Sequence, residues 1–208
     1  MSAHQESTGE PQTASRTKKP LQLIRRVQPE IMTAEAFLEK DLPPLRPIIP
    51  GLIPEGALLL AGAPKAGKSR LALALAIAVA TGRPALAKID VERRAVLYLC
   101  LEDGERMTQD RMQSLLDGAP NSLDIAFEWP KVEAGCEAEL EHWLEAHPDA
   151  GLVVVDTLER IRPENTAYQS VYKADYAACA PLSDLAHRYR ICVLIIHHTR
   201  KSRVEDAG

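Results

Sequence analysis

The sequence predicts an α/β fold, a parallel sheet covered by helices on both faces. Three observations carry this prediction. Apolar runs of strand length recur at Ala57 to Ala61, Ala95 to Leu101, Ile125 to Trp129, Leu152 to Val155 and Ile191 to Ile196. Segments of helical length separate them. Strands that are apolar throughout need cover on both faces, and parallel strands need long crossovers, so the two patterns require each other. The third observation is the length: 208 residues, 46% apolar and 26% charged, suit one domain with an ordinary core.

Residues 1–30 are rich in Ser, Thr, Gln, Glu and Pro and carry a basic cluster, Arg16, Lys18, Lys19, Arg25 and Arg26. Such a segment cannot bury enough apolar surface to offset the entropy of ordering. It reads as a disordered, solvated leader, with 31–208 as the folded core. Thr33 to Lys40 reads as a short helix: Thr33 caps the first-turn amides and Glu35 complements the helix dipole. Pro43, Pro44, Pro47, Pro50 and Pro54 then impose an extended approach to the first strand. Lys68 to Thr81 reads as a helix with an Ala, Leu and Ile face, stopped by Gly82. Glu105 to Leu116 and Cys136 to Ala146 are amphipathic helices, the second with Leu140, Trp143 and Leu144 on one stripe. Val171 to Arg188 is helical, with Pro181 expected to kink or split it. No internal repeat is evident.

The formal charge is 25 − 29 = −4 and the pI about 5.9. This argues against a uniformly basic nucleic-acid coat and leaves room for a local basic loop. Cys100, Cys136, Cys179 and Cys192 form no C-x-x-C pair, so neither a zinc knuckle nor a thioredoxin-type site is readable. Cys100 and Cys192 lie in apolar runs and read as buried reduced thiols. No run has the length and purity of a membrane span, and the polar N-terminus lacks the apolar segment of a secretory signal. The expected compartment is the cytoplasm, with no membrane partner.

Gly62-Ala63-Pro64-Lys65-Ala66-Gly67-Lys68-Ser69 matches G-x-x-x-x-G-K-[ST], after an apolar strand and at the start of a helix. The glycines let successive N–H groups turn inward to phosphate oxygens, and the helix N-terminus adds partial positive charge. Lys68 brings a mobile charge to the β- and γ-phosphates, and Ser69 offers a hydroxyl to Mg²⁺. The predicted nucleotide-binding residues are Gly62, Ala63, Pro64, Lys65, Ala66, Gly67, Lys68, Ser69 and Arg70. Lys65 either touches phosphate or faces water.

Carboxylates close other strands. In a parallel sheet all strand C-termini open on the edge that carries the phosphate loop. Asp156 therefore falls near the Mg²⁺, which it holds through a water. Glu102 follows the second strand and is the candidate for polarising the water that attacks the γ-phosphate; Asp103 is its competitor, with helix capping as its other role. The fifth strand runs into His197 and His198. Adjacent strand residues point to opposite faces, so the two imidazoles cannot share one task, and a His–His metal site is a poor reading. One is expected to reach the γ-phosphate or the attacking water, the other to fill the sheet's outer layer.

Taken together in this order, GAPKAGKS, YLCLED, VVVDT and IIHHTRK resemble RecA-like ATPases, in particular the RepA-like replicative helicases of plasmids and phages. The approach segment Ile49 to Gly56 resembles them too, and the likeness spans roughly residues 42 to 205. The resemblance implies a RecA-like P-loop NTPase core with strand order 3-2-4-5-1, sandwiched by helices, and a homo-oligomeric ring, commonly a hexamer, with ATP between subunits. It implies that Lys68 and Ser69 bind phosphate and Mg²⁺, that Asp156 supports the metal, that Glu102 is catalytic, and that His198 senses the γ-phosphate. Arg200, Lys201 and Arg203 become candidates for contact with DNA or a neighbouring subunit, with Arg160 and Arg162 a second set.

The chain departs from that pattern at its C-terminus. It stops at Gly208, before the further strands and arginine finger that the resemblance implies. The core is thus expected to be C-terminally incomplete, with Ala57 to Ala61 left as an apolar edge. The expected function is an ATP-hydrolysing, helicase-type motor on single- or double-stranded DNA in plasmid or phage replication, with weak turnover in isolation. The alternative is a nucleotide-binding regulator of replication or recombination with little or no turnover. A small-molecule kinase is a third reading, opposed by the scarcity of arginine in residues 157–175.

Overall fold

A computed structural model of the chain describes residues 31–116, 118, 120, 122–163 and 171–199. The leader 1–30 and Arg200, Lys201 and Arg203 lie outside the described residues. Contacts divide the chain into a unit ending at Pro43 and one beginning at Pro44. In the first, α1 (Ala34–Leu38) is capped by Thr33, whose Oγ1 accepts the Ala36 amide at 3.1 Å.

In the second unit, apolar pairing builds a parallel sheet from β1 (Gly56–Gly62), β2 (Ala95–Cys100), β3 (Leu123–Ala126), β4 (Ala150–Asp156) and β5 (Cys192–His198), in the order β1-β5-β4-β2-β3. Read from the other edge this is 3-2-4-5-1, as expected. The connecting helices are α2 (Lys68–Thr81), α3 (Glu105–Gln113), α4 (Cys136–Ala146), α5 (Leu158–Ile161) and α6 (Val171–Tyr189). The period of two along each strand divides the core. Val96, Tyr98, Cys100, Leu152, Val154, Leu194 and Ile196 pack with α2. Leu97, Leu99, Val153, Val155, Val193 and Ile195 pack with α4, α5 and α6.

α2 is not merely faced with apolar residues. Ala72, Leu73 and every residue from Leu75 to Ala80 are buried, as befits a helix apolar nearly all round. Gly82 ends it at φ +70°, where a side chain would be strained. The approach segment buries Ile48, Ile49 and Ile53 against the same core. The Glu55 carboxylate accepts from the Arg46 amide and the Arg190 guanidinium, both at 3.2 Å, which fastens this segment to the end of α6.

Several boundaries differ from the sequence reading. α3 stops at Gln113 rather than Leu116, because Leu115 and Leu116 both turn their amides back to the Met112 carbonyl. β3 is Leu123–Ala126 rather than 125–129, set by its register against Val96 to Leu99 of β2. Its Asp124, a poor strand former, is tolerated on this edge and accepts from Trp143 Nε1 at 2.8 Å. β4 and β5 run past their apolar stretches into Asp156 and His198, since backbone pairing, not polarity, sets their length. α6 is one helix with Pro181 inside it: Ala174 and Ala178 before the proline and Leu182 and Leu185 after it are all buried, so packing holds both halves in line. α5 was not anticipated.

β1 is an edge of the described sheet. Its residues alternate between exposed and half-buried after Gly56, and Leu59 is 51% exposed. All four cysteines are free; burial pushes the Cys192 thiol up to about 12 and that of Cys136 to about 11. No described helix is long and apolar enough to cross a membrane.

Candidate functional site

The site assembles where four parallel strands end side by side. Gly62 at the end of β1 pairs with His198 of β5, and Cys100 of β2 with Asp156 of β4. Residues scattered from 62 to 198 are thereby brought to one sheet edge.

The phosphate loop leaves β1 at Gly62 and enters α2 through Gly67, whose φ of +84° suits only glycine well. Lys65 also lies in the left-handed region, at φ +64°, giving the loop the alternating curl in which amides face inward. No side chain caps α2, so its first-turn amides are left for an anion. Lys68 is buried, and its Nζ donates to the carbonyls of Gly62 at 2.9 Å and Ala63 at 2.8 Å. An ammonium has three donors, so these bonds hold the charge inside the curl and leave one N–H for a phosphate oxygen.

Asp156 ends β4, 3% exposed. Its Oδ2 accepts from the Tyr98 hydroxyl at 2.8 Å, while Oδ1 is buried without a hydrogen-bond partner. Burial pushes its carboxyl above the usual range. The Tyr98 hydroxyl on Oδ2 and the neighbouring Ser69 side chain oppose that shift, and the nearby Asp103 and Glu102 charges add to it. A buried, unpartnered hard oxygen next to a serine hydroxyl fits Mg²⁺, which takes few protein ligands and completes its shell with water and phosphate oxygens. Burial also pushes the Tyr98 phenol up, with help from the Asp156 charge, so Tyr98 stays a proton donor.

Because the folded carboxyl binds a proton more readily than the unfolded one, ionised Asp156 costs stability at neutral pH, and that cost is relieved as pH falls through its folded pKa. Asp156→Asn is therefore expected to stabilise the nucleotide-free protein at pH 7 by about 0.5–2 kcal/mol, a usual gain when a functional-site group is relieved. The advantage should shrink on acidification. Urea midpoints measured across pH check this, and a variant less stable than wild type at pH 7 overturns it.

Glu102 and His198 meet: Nε2 of the imidazole lies 3.2 Å from Glu102 Oε2, across the tip of β4. The sequence placed both near the γ-phosphate without pairing them. Asp103, the competitor, is drawn aside into an ion pair with Arg111 of α3. It does not cap α3, whose N-cap is Gly104 with no side-chain bond. His197 points to the opposite face, as the strand period requires, with Nε2 3.9 Å from Asp175 of α6. Asp175 also meets Arg162 at 3.3 Å, so Arg162 is engaged within the fold, while Arg160 is exposed. A cavity of about 670 Å³ between α3 and β3, lined by Met112, Leu116, Ile125 and Phe127 among others, includes none of the predicted site residues.

Sequence reasoning missed Tyr98. The signal was available: a lone hydroxyl in an otherwise apolar, fully buried strand needs a polar partner, and its phase on β2 points it towards α2.

Comparison with known proteins fits this arrangement. No curated protein matches the sequence. Among solved structures, the chain superposes on a DnaB-like replicative helicase, described together with its interactions with primase, at a TM-score of 0.52 and 15% identity, covering 71% of this chain and 39% of the other. A second solved structure, an ATPase domain, matches at the same TM-score and identity, with 71% of this chain and 58% of that one covered. The chain thus spans between two fifths and three fifths of these proteins, and at such identity the likeness is one of fold: the RecA-like core of helicase ATPase domains. The AAA domain family matches residues 24–204, nearly the whole sequence, and the chain belongs to that family.

Proposed function

We propose that the chain binds Mg·ATP at residues 62–70 and hydrolyses it, driving a helicase-type motor on DNA. The observation that supports this best is the convergence of Lys68, Asp156 and the Glu102–His198 pair on one sheet edge. The loop amides and Lys68 bind and orient the triphosphate. Ser69 and Asp156 would hold Mg²⁺, which neutralises charge on the β- and γ-phosphates. Glu102 orients the attacking water and accepts its proton. His198 steadies the Glu102 carboxylate and, from the next strand end but one, meets the γ-phosphate when it is present.

DNA as partner, a homo-oligomeric ring and a part in plasmid or phage replication extend this reading. They rest on the likeness to replicative helicases, with exposed Arg160 as a candidate contact. The free cysteines, of which Cys100, Cys136 and Cys192 are buried, suit the cytoplasm. Phosphate release measured with and without single-stranded DNA, alongside mass measurement with and without Mg·ATP, tests the proposal. Stimulated turnover by a nucleotide-dependent oligomer is expected. ATP binding with no turnover, even with DNA, would replace the motor by a nucleotide-bound regulator.

A further inference from the structure

Between the two residues proposed to hold Mg²⁺ lies a group that neither the motif nor the likeness assigns. Tyr98 is 2% exposed on the central strand β2. Its hydroxyl oxygen is 2.8 Å from Asp156 Oδ2 and 3.2 Å from the main-chain carbonyl of Ser69. It bears one proton, and the carboxylate takes it in the shorter, charge-assisted bond. The Ser69 carbonyl, on the first turn of α2, limits where that hydroxyl can sit.

We infer that Tyr98 is a positioning residue for the cation site: it occupies Oδ2 of Asp156, leaves Oδ1 as the oxygen presented to Mg²⁺, and fixes the spacing between Asp156 and Ser69. The geometry supplies each part. A carboxylate turns about a broad, roughly two-fold torsion, and a bond to one oxygen stops that rotation. The other oxygen is the buried atom that has no partner within the protein. The phenol also spans β2, β4 and α2, so Asp156 and Ser69 are gauged against one rigid ring. Groups that orient a metal ligand in this way typically change metal affinity about 10–100-fold when lost.

This inference rests on the Mg·ATP reading above. Its test is a titration of Mg²⁺ into the full chain with a fluorescent ATP analogue, reading binding rather than turnover, in wild type, Tyr98→Phe, Asp156→Asn and the double variant. Tyr98→Phe is expected to raise the Mg²⁺ concentration at half-effect about tenfold, to leave analogue affinity in EDTA unchanged, and to add nothing once Asp156 is Asn. An unchanged Mg²⁺ dependence overturns the inference. So does an equal loss in EDTA, or an additive effect in the double variant, since each marks a general structural role. Wild type that binds the analogue without any Mg²⁺ dependence overturns the metal reading itself, and the inference with it. Tyr98→Phe keeps the buried ring and removes only the hydroxyl, so the packing of β2 against α2 is retained, and a urea midpoint on each variant checks the fold before titration.

Discussion

Replacing Glu102 with Gln is expected to lower ATP turnover by about 10²–10⁴-fold, the usual contribution of a positioned general base, while leaving Mg·ATP affinity within a few-fold of wild type. The amide keeps the shape of the side chain and still accepts from His198 Nε2, now 3.2 Å from Oε2. It can no longer take a proton from water. Glu102 follows the end of β2, two residues beyond the partner of Asp156, and lies outside the curl of the phosphate loop, so binding should survive. Single-turnover phosphate release and analogue titration on the same preparation separate the two quantities. Turnover preserved within threefold would remove Glu102 from the chemistry and pass its role to Asp103, despite the latter's ion pair with Arg111.

Lys68→Ala is expected to weaken ATP binding by about 3 kcal/mol, roughly a hundredfold in Kd, from the loss of charge-assisted contacts to phosphate. Two effects add. The only side-chain ammonium held within the described loop by its own carbonyls disappears, while the Gly62 and Ala63 carbonyls keep the Thr199 and Ala66 amides as donors. Since the aliphatic stem passes within 3.6 Å of the position a Cβ would take on Gly62, the loop also loses packing. Lys68→Arg should not rescue binding: a planar fork in place of a compact, rotatable ammonium cannot donate to the same two carbonyls and still meet phosphate. Calorimetry with Mg·ATP reads both variants. Wild-type affinity in Lys68→Ala would move the nucleotide away from residues 62–70.

The sequence carried the frame of the molecule because its strands are apolar on both faces. Ala95 to Cys100 and Leu152 to Val155, apolar throughout and separated by helical segments, point to a covered parallel sheet, and parallel strands bring Gly62, Glu102, Asp156 and His198 to one edge. The phosphate loop was legible for the same reason: a glycine-gated turn between strand and helix leaves few alternatives. Pairings between side chains were not legible. That Glu102 meets His198, that Asp103 turns to Arg111, and that Tyr98 stands between Asp156 and Ser69 depend on register and on which side of a strand tip each atom falls. A one-residue slip would reverse all three. The continuous α6 was hidden differently, since proline in a helix is disfavoured locally and only the docking of both halves on the sheet overrides that preference.

One oxygen atom has a double duty. The Gly62 carbonyl accepts from Lys68 Nζ at 2.9 Å and from the Thr199 amide at 3.1 Å, so both its lone pairs are spoken for by parts of the chain that lie far apart in sequence. The backbone at the end of β5 thus shares an acceptor with the Lys68 ammonium, beside the β1–β5 ladder that pairs Gly62 with His198. A displacement of Thr199 would therefore move one of the two carbonyls that hold the Lys68 ammonium in place.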